Sequence, residues 1–305
     1  MNVLKVLTDF SFTEKRGRTI ELSVSLVSQL YHFVAFQLRK PTMQLDKAML
    51  IISIDVDVGD KELGLINKGR NDANVHRCFS EHHVGEIEER ALPLFFDIFN
   101  AFDVPVTFAI RGQLTELDDS FLKLLLRSPV KHDVGAHGYY HRKFQNLSRK
   151  EAESELNMIS AGMKKFGIVP RSFVFPGNSV SHLDLLEKFG YECYREDGDF
   201  LSDDMHIEKK GRLYNIHPSL YLNQSISSIV LKKTLDVAIA KKTPLHLWFH
   251  PWTFGETNEL IKKSVSGLFL PFLKYAKTKE KSGVLTFETM LSAARKVDKM
   301  LVAVE

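Results

Sequence analysis

The sequence predicts an α/β domain: a parallel sheet with crossover helices, closed into a barrel. Three observations predict it. Short apolar runs alternate with helical patterns from residue 48 onward, seven or eight such units follow one another, and the polar residues cluster where the runs end. Strict strand–helix alternation argues for parallel pairing. Seven or eight units fit one barrel domain of about 250 residues better than an open, doubly wound sheet. The chain has 305 residues, 44% of them hydrophobic, enough to bury a large core and to exclude disorder throughout.

Residues 1–47 stand apart as an N-terminal helical extension, leaving 48–305 as the barrel domain. Within "ELSVSLVSQLYHFVAFQLRK", Leu22, Leu26, Leu30, Phe33 and Leu38 fall near helical spacing. Three serines, two glutamines and a histidine in that stretch favour an amphipathic helix over a membrane span, so no transmembrane segment is expected. Asp9 and Glu14 interrupt what a secretory signal would need. Cys78 and Cys193 form neither a CxxC nor a metal-type spacing, and a reducing, cytoplasmic setting is expected.

The expected strands are 49–55, 105–112, 132–137, 172–177, 191–196, 212–218, 244–251 and 283–288. Helical patterns lie between them at 85–102, 119–128, 148–167, 181–190, 227–242 and 258–279, each with apolar residues three and four apart. Forty-one Lys and Arg against 38 Asp and Glu give a net charge of +3, and the basic pairs are scattered, as on solvated helix faces. No nucleic-acid partner is expected.

Chemistry in a parallel α/β fold gathers at the carboxyl ends of the strands. The first strand, "MLIISID", runs straight into acids. Alternation puts Ser53, Asp55 and Asp57 on one face, with the Cα atoms of the two aspartates about 7 Å apart, so that their carboxylates can converge on one point. An Asp-rich turn capping the next segment is the plain alternative. In "HDVGAHGYYHRKF", His137 and His141 are four residues apart, the step that sets two imidazoles on the same side of a helical turn. Two His and one Asp would complete the three protein ligands that a catalytic zinc takes. His132 belongs to the strand or its start and reads as structural. On "TPLHLWFHPW", His246, Trp248 and His250 share a face. His250, nearest the end, is suited to general acid work, His246 to an interior hydrogen bond, and Trp248 and Trp252 to an apolar wall or to the core.

The ordered set "SIDVD", "HGYYH", "FVFPGN" and "LHLWFHPW" resembles the polysaccharide deacetylase superfamily, the NodB homology domain of carbohydrate esterase family four, over about residues 48 to 290. The resemblance implies an irregular (β/α) barrel of about seven parallel strands. It implies Asp55 as general base, Asp57, His137 and His141 as ligands of a divalent metal, and His250 as acid. Zinc is the expected ion, with cobalt, nickel or manganese compatible. Gly177 would supply an oxyanion N–H, and Pro176, Asn178, Arg111, Tyr139, Trp248 and Trp252 would line the substrate. The departures are specific. Val174 stands where the family usually has the Arg that holds the base, leaving either Arg111 or Arg195 to replace it or an Asp55 that is tuned differently. Gly138 stands where a Ser or Thr is common, and no fourth-motif Asp supporting the acid His is found.

The activity so implied is metal-dependent removal of an N-acetyl group from a carbohydrate. The rivals are hydrolysis of a non-sugar linear or cyclic amide, as in the allantoinase-like branch, ferrous-iron oxygen chemistry on the same donors, and a sugar-binding module without turnover. A carbohydrate or small amide is the expected partner, and a homo-oligomer is compatible.

Overall fold

The computed structural model describes Val34 and residues 43–56, 81–117, 119–196, 206–223, 226–255 and 258–302. The extension expected over residues 1–47 therefore lies outside the described residues, apart from Val34 and residues 43–47. Residues 57–80, Asp57 and Cys78 among them, lie outside them too.

In chain order the elements are β1 (Ala48–Val56), α1 (Glu81–Ala101), β2 (Thr107–Ile110), α2 (Leu114–Leu117), α3 (Ser120–Leu125), β3 (Asp133–Ala136), α4 (Arg149–Lys164), β4 (Ser172–Val174), α5 (Leu183–Lys188), β5 (Cys193–Arg195), β6 (Ile207–Lys210), β7 (Leu213–Ile216), β8 (Leu220–Tyr221), α6 (Ser228–Lys241), β9 (Pro244–Phe249), α7 (Asn258–Ser264), α8 (Leu270–Lys281), β10 (Leu285–Glu288) and α9 (Met290–Val302). A π-helical turn, Val265–Phe269, joins α7 to α8 just ahead of Pro271. Proline has no N–H for the regular helical ladder, and such a turn absorbs the slip.

All eight expected strands are present, and the strand path runs β6-β7-β5-β4-β3-β2-β1-β9-β8 with β10 also on β1. Every pairing is parallel except β6 with β7, which is antiparallel. The antiparallel edge and the two-residue β8 depart from the expected set. Ile-Glu-Lys-Lys has little apolar content because an edge strand can face water. The path does not close through a ladder among the described residues, so the barrel is open. A side chain spans the gap: His246 on β9 meets the Ile216 carbonyl on β7 at 3.1 Å.

Alternation along the strands separates two cores. Outward side chains such as Leu50, Ile52, Ile54, Phe108, Phe173, Leu247 and Phe249 pack with the surrounding helices. Inward ones, Met49, Ile51, Ala109, Val174, Cys193, Tyr214 and Ile216, pack with Met290, Ala293, Ala294 and Val297 of α9. Helix α9 thus fills the amino-terminal end of the barrel, where its Met290 N–H donates to Thr107 Oγ1 at 2.8 Å. The inward positions next along β1 and β9, Ser53, Asp55, His246 and Trp248, are left to form a polar floor. Among the described residues no helix is long and apolar enough to cross a membrane.

Candidate active site

Strand β1 carries Asp55 inward, 2% exposed. A carboxylate so buried needs a cation and hydrogen bonds. Both come from Arg195, the last residue of β5: Nη1 donates to Oδ1 at 2.8 Å and Nη2 to Oδ2 at 2.5 Å. Nη1 also reaches Ser53 Oγ at 2.8 Å, and the guanidinium lies 4.3 Å from the Trp248 ring centroid. Burial alone would raise the Asp55 pKa. The positive charge of Arg195, then of His137 and His250, outweighs it and holds the carboxyl below its ordinary value. A pKa depressed on folding contributes stability that is present above the unfolded value and lost as pH falls through the folded one.

Ser53 extends this network to His246, whose Nε2 is 2.8 Å from Ser53 Oγ and whose Nδ1 faces the Ile216 carbonyl. Only the neutral ring with its proton on Nδ1 can donate to that carbonyl and accept from the serine. Burial first, and Arg195 second, push the His246 pKa down to about 3. This is the interior histidine the alternation predicts.

His137 follows β3 directly. Its Nδ1–H donates to the Val174 carbonyl at 2.8 Å, which turns Nε2 inward to 4.0 Å from Asp55 Oδ2. His250, one residue beyond β9, brings its Nε2 to 3.8 Å from the same oxygen. The His141 ring centroid is 4.8 Å from that of His137. The helical turn expected for this pair is not what joins them. Residues 137–143 are non-helical, and the chain reverses through left-handed φ at Gly138 (66°) and His141 (56°). A Cβ on Gly138 would lie 2.8 Å from Pro176 Cγ, so the turn is also too close to its neighbour for a side chain.

Glu155 holds this loop from behind. It is fully buried on α4 and accepts from the backbone N–H of Tyr139 at 2.9 Å and of Tyr140 at 3.3 Å, and from Arg142 Nε. Nothing in the motifs names Glu155. One signal was present: a charged residue on the apolar stripe formed by Ala152, Leu156, Ile159 and Met163.

The Arg missing from the third motif has a structural replacement. Val174 points into the α9 core, and the register pairs it with Arg195 on the adjacent strand. The guanidinium on Asp55 has therefore moved one strand sideways. Arg111, the other candidate, donates instead to Gln113 Oε1 at 2.5 Å and to the Tyr140 carbonyl at 3.2 Å, supporting the His loop. Tyr139, expected to line the substrate, is buried in the outer core with its hydroxyl donating to Glu116 at 2.7 Å, a structural placement. Trp248 presents its ring to Arg195 and to Tyr221, 4.3 Å away. The side chain of Trp252 lies outside the described residues. Pro176, Gly177 and Asn178 form a tight turn in which both Gly177 and Asn178 have φ of 55°. No motif pointed to Tyr221, whose hydroxyl is 3.2 Å from His250 Nδ1, where a supporting Asp was expected. His132 lies just before β3 against Phe108 and Val106 N–H, with burial lowering its pKa to about 4, and is structural.

The donor set suits a divalent cation. His137 has its Nδ1–H fixed on a carbonyl, the arrangement that leaves Nε2 as a ligand, and His141 stands beside it. A third ligand is required, and Asp57 lies outside the described residues. Among those residues, a His/acid trio with donor atoms all within 4.8 Å of one another occurs elsewhere, at His206, Glu208 and His217.

The polysaccharide deacetylase family model matches residues 82–194. No curated protein matches the chain. A structure from Pseudomonas aeruginosa PAO1, described as a polysaccharide deacetylase, superposes with a TM-score of 0.64 at 13% identity, over 81% of this chain and 90% of that one. One from Mycobacterium smegmatis, similarly described, gives 0.59 at 15%, over 82% and 96%. Puue allantoinase gives 0.63 at 14%, over 81% and 89%. At these identities the likeness is one of fold. The family model spans α1 to β5, over residues 82–194, and the fold shared with these structures extends on both sides of it.

Proposed function

We propose that the protein is a metal-dependent hydrolase of carbon–nitrogen bonds that removes an N-acetyl group from a carbohydrate. The observation that supports this most is the convergence on Asp55 Oδ2 of His137 Nε2 and His250 Nε2, at 4.0 and 3.8 Å, with Arg195 holding the same carboxylate. A divalent ion on His137 and His141, with Asp57 as the proposed third ligand, would supply an activated water and a polarised amide carbonyl.

The chain's own groups do the rest. Asp55, kept ionised by Arg195, takes the proton of the attacking water at Oδ2. His250 gives a proton to the departing amine, and Tyr221 orients its ring through Nδ1. The Gly177 N–H is the proposed donor to the developing oxyanion, a contact type whose loss costs about 3 kcal/mol in the barrier. Cysteine usage, with no CxxC or metal-type spacing, supports a reducing, cytoplasmic setting within this proposal.

Gly138 in "HGYYH" and the fold shared with an allantoinase favour a second reading, hydrolysis of a small non-sugar amide. One assay separates the readings: acetate release from N-acetylated mono- and oligosaccharides beside turnover of small ureides. The proposal expects acetate from a sugar amide, its loss on chelation, and a fall of about 10²–10⁴-fold in Asp55→Asn, the contribution typical of a general base. Turnover of ureides alone selects the second reading. Sugar binding with no wild-type turnover selects neither hydrolase.

A further inference from the structure

We propose a second site for a divalent transition metal, with three protein donors and room for water, on the outer face of the β6–β7 hairpin, formed by His206, Glu208 and His217. It goes beyond the hydrolase reading and does not depend on it. The pairings Ile207 with Ile216 and Glu208 with Asn215 set the geometry. Ile207, Tyr214 and Ile216 point into the α9 core, so alternation sends Glu208, Asn215 and the flanking histidines to the opposite face, away from Asp55.

There the rings of His206 and His217 stack with centroids 4.0 Å apart and planes 27° apart. Glu208 Oε2 is 3.4 Å from His217 Nε2, and one donor atom from each of the three residues lies within 4.8 Å of the others. Two imidazoles and one carboxylate from adjacent antiparallel strands are a donor set for a divalent transition metal, zinc foremost. His217 is 7% exposed, and its Nε2, the nitrogen that faces Glu208, is 3.0 Å from the Asn215 amide nitrogen, a contact that a cation on Nε2 would displace.

Glu208 also pairs with Lys210 at 3.3 Å. That lysine has a second carboxylate, Glu196, at 3.6 Å, so a cation can take Glu208 without stranding it. A metal here would tie edge strand β6 to β7. Strand β7 carries the Ile216 carbonyl that fixes His246, and through it Ser53, Arg195 and Asp55.

The test is Zn2+ alone, counted per chain by elemental analysis after dialysis and followed by thermal unfolding. The variants are Glu208→Gln, on a half-exposed side chain, His206→Gln, and the pair His137→Gln with His141→Gln. Each hairpin variant is expected to bind one equivalent fewer than wild type and to lose the upward shift in Tm that Zn2+ gives. The His137/His141 double variant is expected to keep that shift and the hairpin equivalent. The proposal is overturned if the hairpin variants bind as much Zn2+ as wild type and respond to it identically, which would leave the three residues an ion-paired network. Loss of Zn2+ only in the His137/His141 variant would overturn this proposal while sparing the hydrolase reading.

Discussion

Arg195→Met is expected to lower turnover sharply at neutral pH and to destabilise the fold by roughly 3 to 5 kcal/mol, the cost of leaving one member of a buried ion pair behind. The reasoning starts from exposure. Arg195 and Asp55 are 1% and 2% exposed, and the guanidinium makes two hydrogen bonds to the carboxylate and one to Ser53. Without it, burial acts unopposed except by the histidines, and the Asp55 pKa rises. The acid limb of the pH–rate profile then moves to higher pH, and residual activity is confined to the alkaline side. Arg195→Lys keeps the charge but not the paired donors, and is expected to recover part of the stability and less of the rate. Urea unfolding and a pH–rate profile check both. Wild-type stability with an unmoved acid limb would show that Arg195 does not control Asp55.

Glu155→Ala comes second in expected effect. Its carboxylate accepts from two backbone N–H groups and from Arg142 while fully buried, so truncation strands those donors and costs roughly 3 to 5 kcal/mol. The functional consequence is separate from the stability loss. The His137–His141 turn uses left-handed backbone at Gly138 and His141, a conformation a non-glycine residue holds only when its surroundings enforce it. Released from Glu155, the turn relaxes and the imidazoles part. Zn2+ affinity at this pair is expected to fall about 10- to 100-fold, the range seen when supports behind metal ligands are removed. Glu155→Gln, which keeps a carbonyl acceptor, is expected to lie between. Isothermal titration with Zn2+ on folded protein, set beside thermal unfolding, separates the two effects. Undiminished affinity in Glu155→Ala would count against the clamp.

The barrel strands were readable because strands buried on both faces need continuous apolar runs, and "MLIISID" or "PLHLWF" admits little else. Strand β6 was not, since Ile207 is its one apolar residue: Glu208 and Lys210 face outward at an edge and Lys209 reaches Asp298 of α9 at 3.3 Å. Helix α9 escaped for a different reason: its inward stripe is Met290, Ala293, Ala294 and Val297, small residues fitted to a narrow barrel end. Asp55, His137, His246 and His250 were legible from two rules together, side-chain alternation and the placement of chemistry at carboxyl ends. The partnerships were not. Choosing Arg195 over Arg111 requires knowing that β5 lies beside β4 with Val174 and Arg195 in register. Tyr221 behind His250 depends on a two-residue strand paired with β9, which leaves no periodic trace. The four-residue spacing of His137 and His141 suggested proximity for the wrong cause, because here a left-handed loop rather than a helix brings them together.

The most direct test of the central claim is an anomalous difference map, collected at the zinc edge, from crystals equilibrated with Zn2+ and checked for hydrolytic activity. The account predicts a peak about 2.0–2.1 Å from His137 Nε2 and from one nitrogen of His141, with Asp57 completing the set and Asp55 held by Arg195. Active crystals with no anomalous density between His137 and His141 would contradict it.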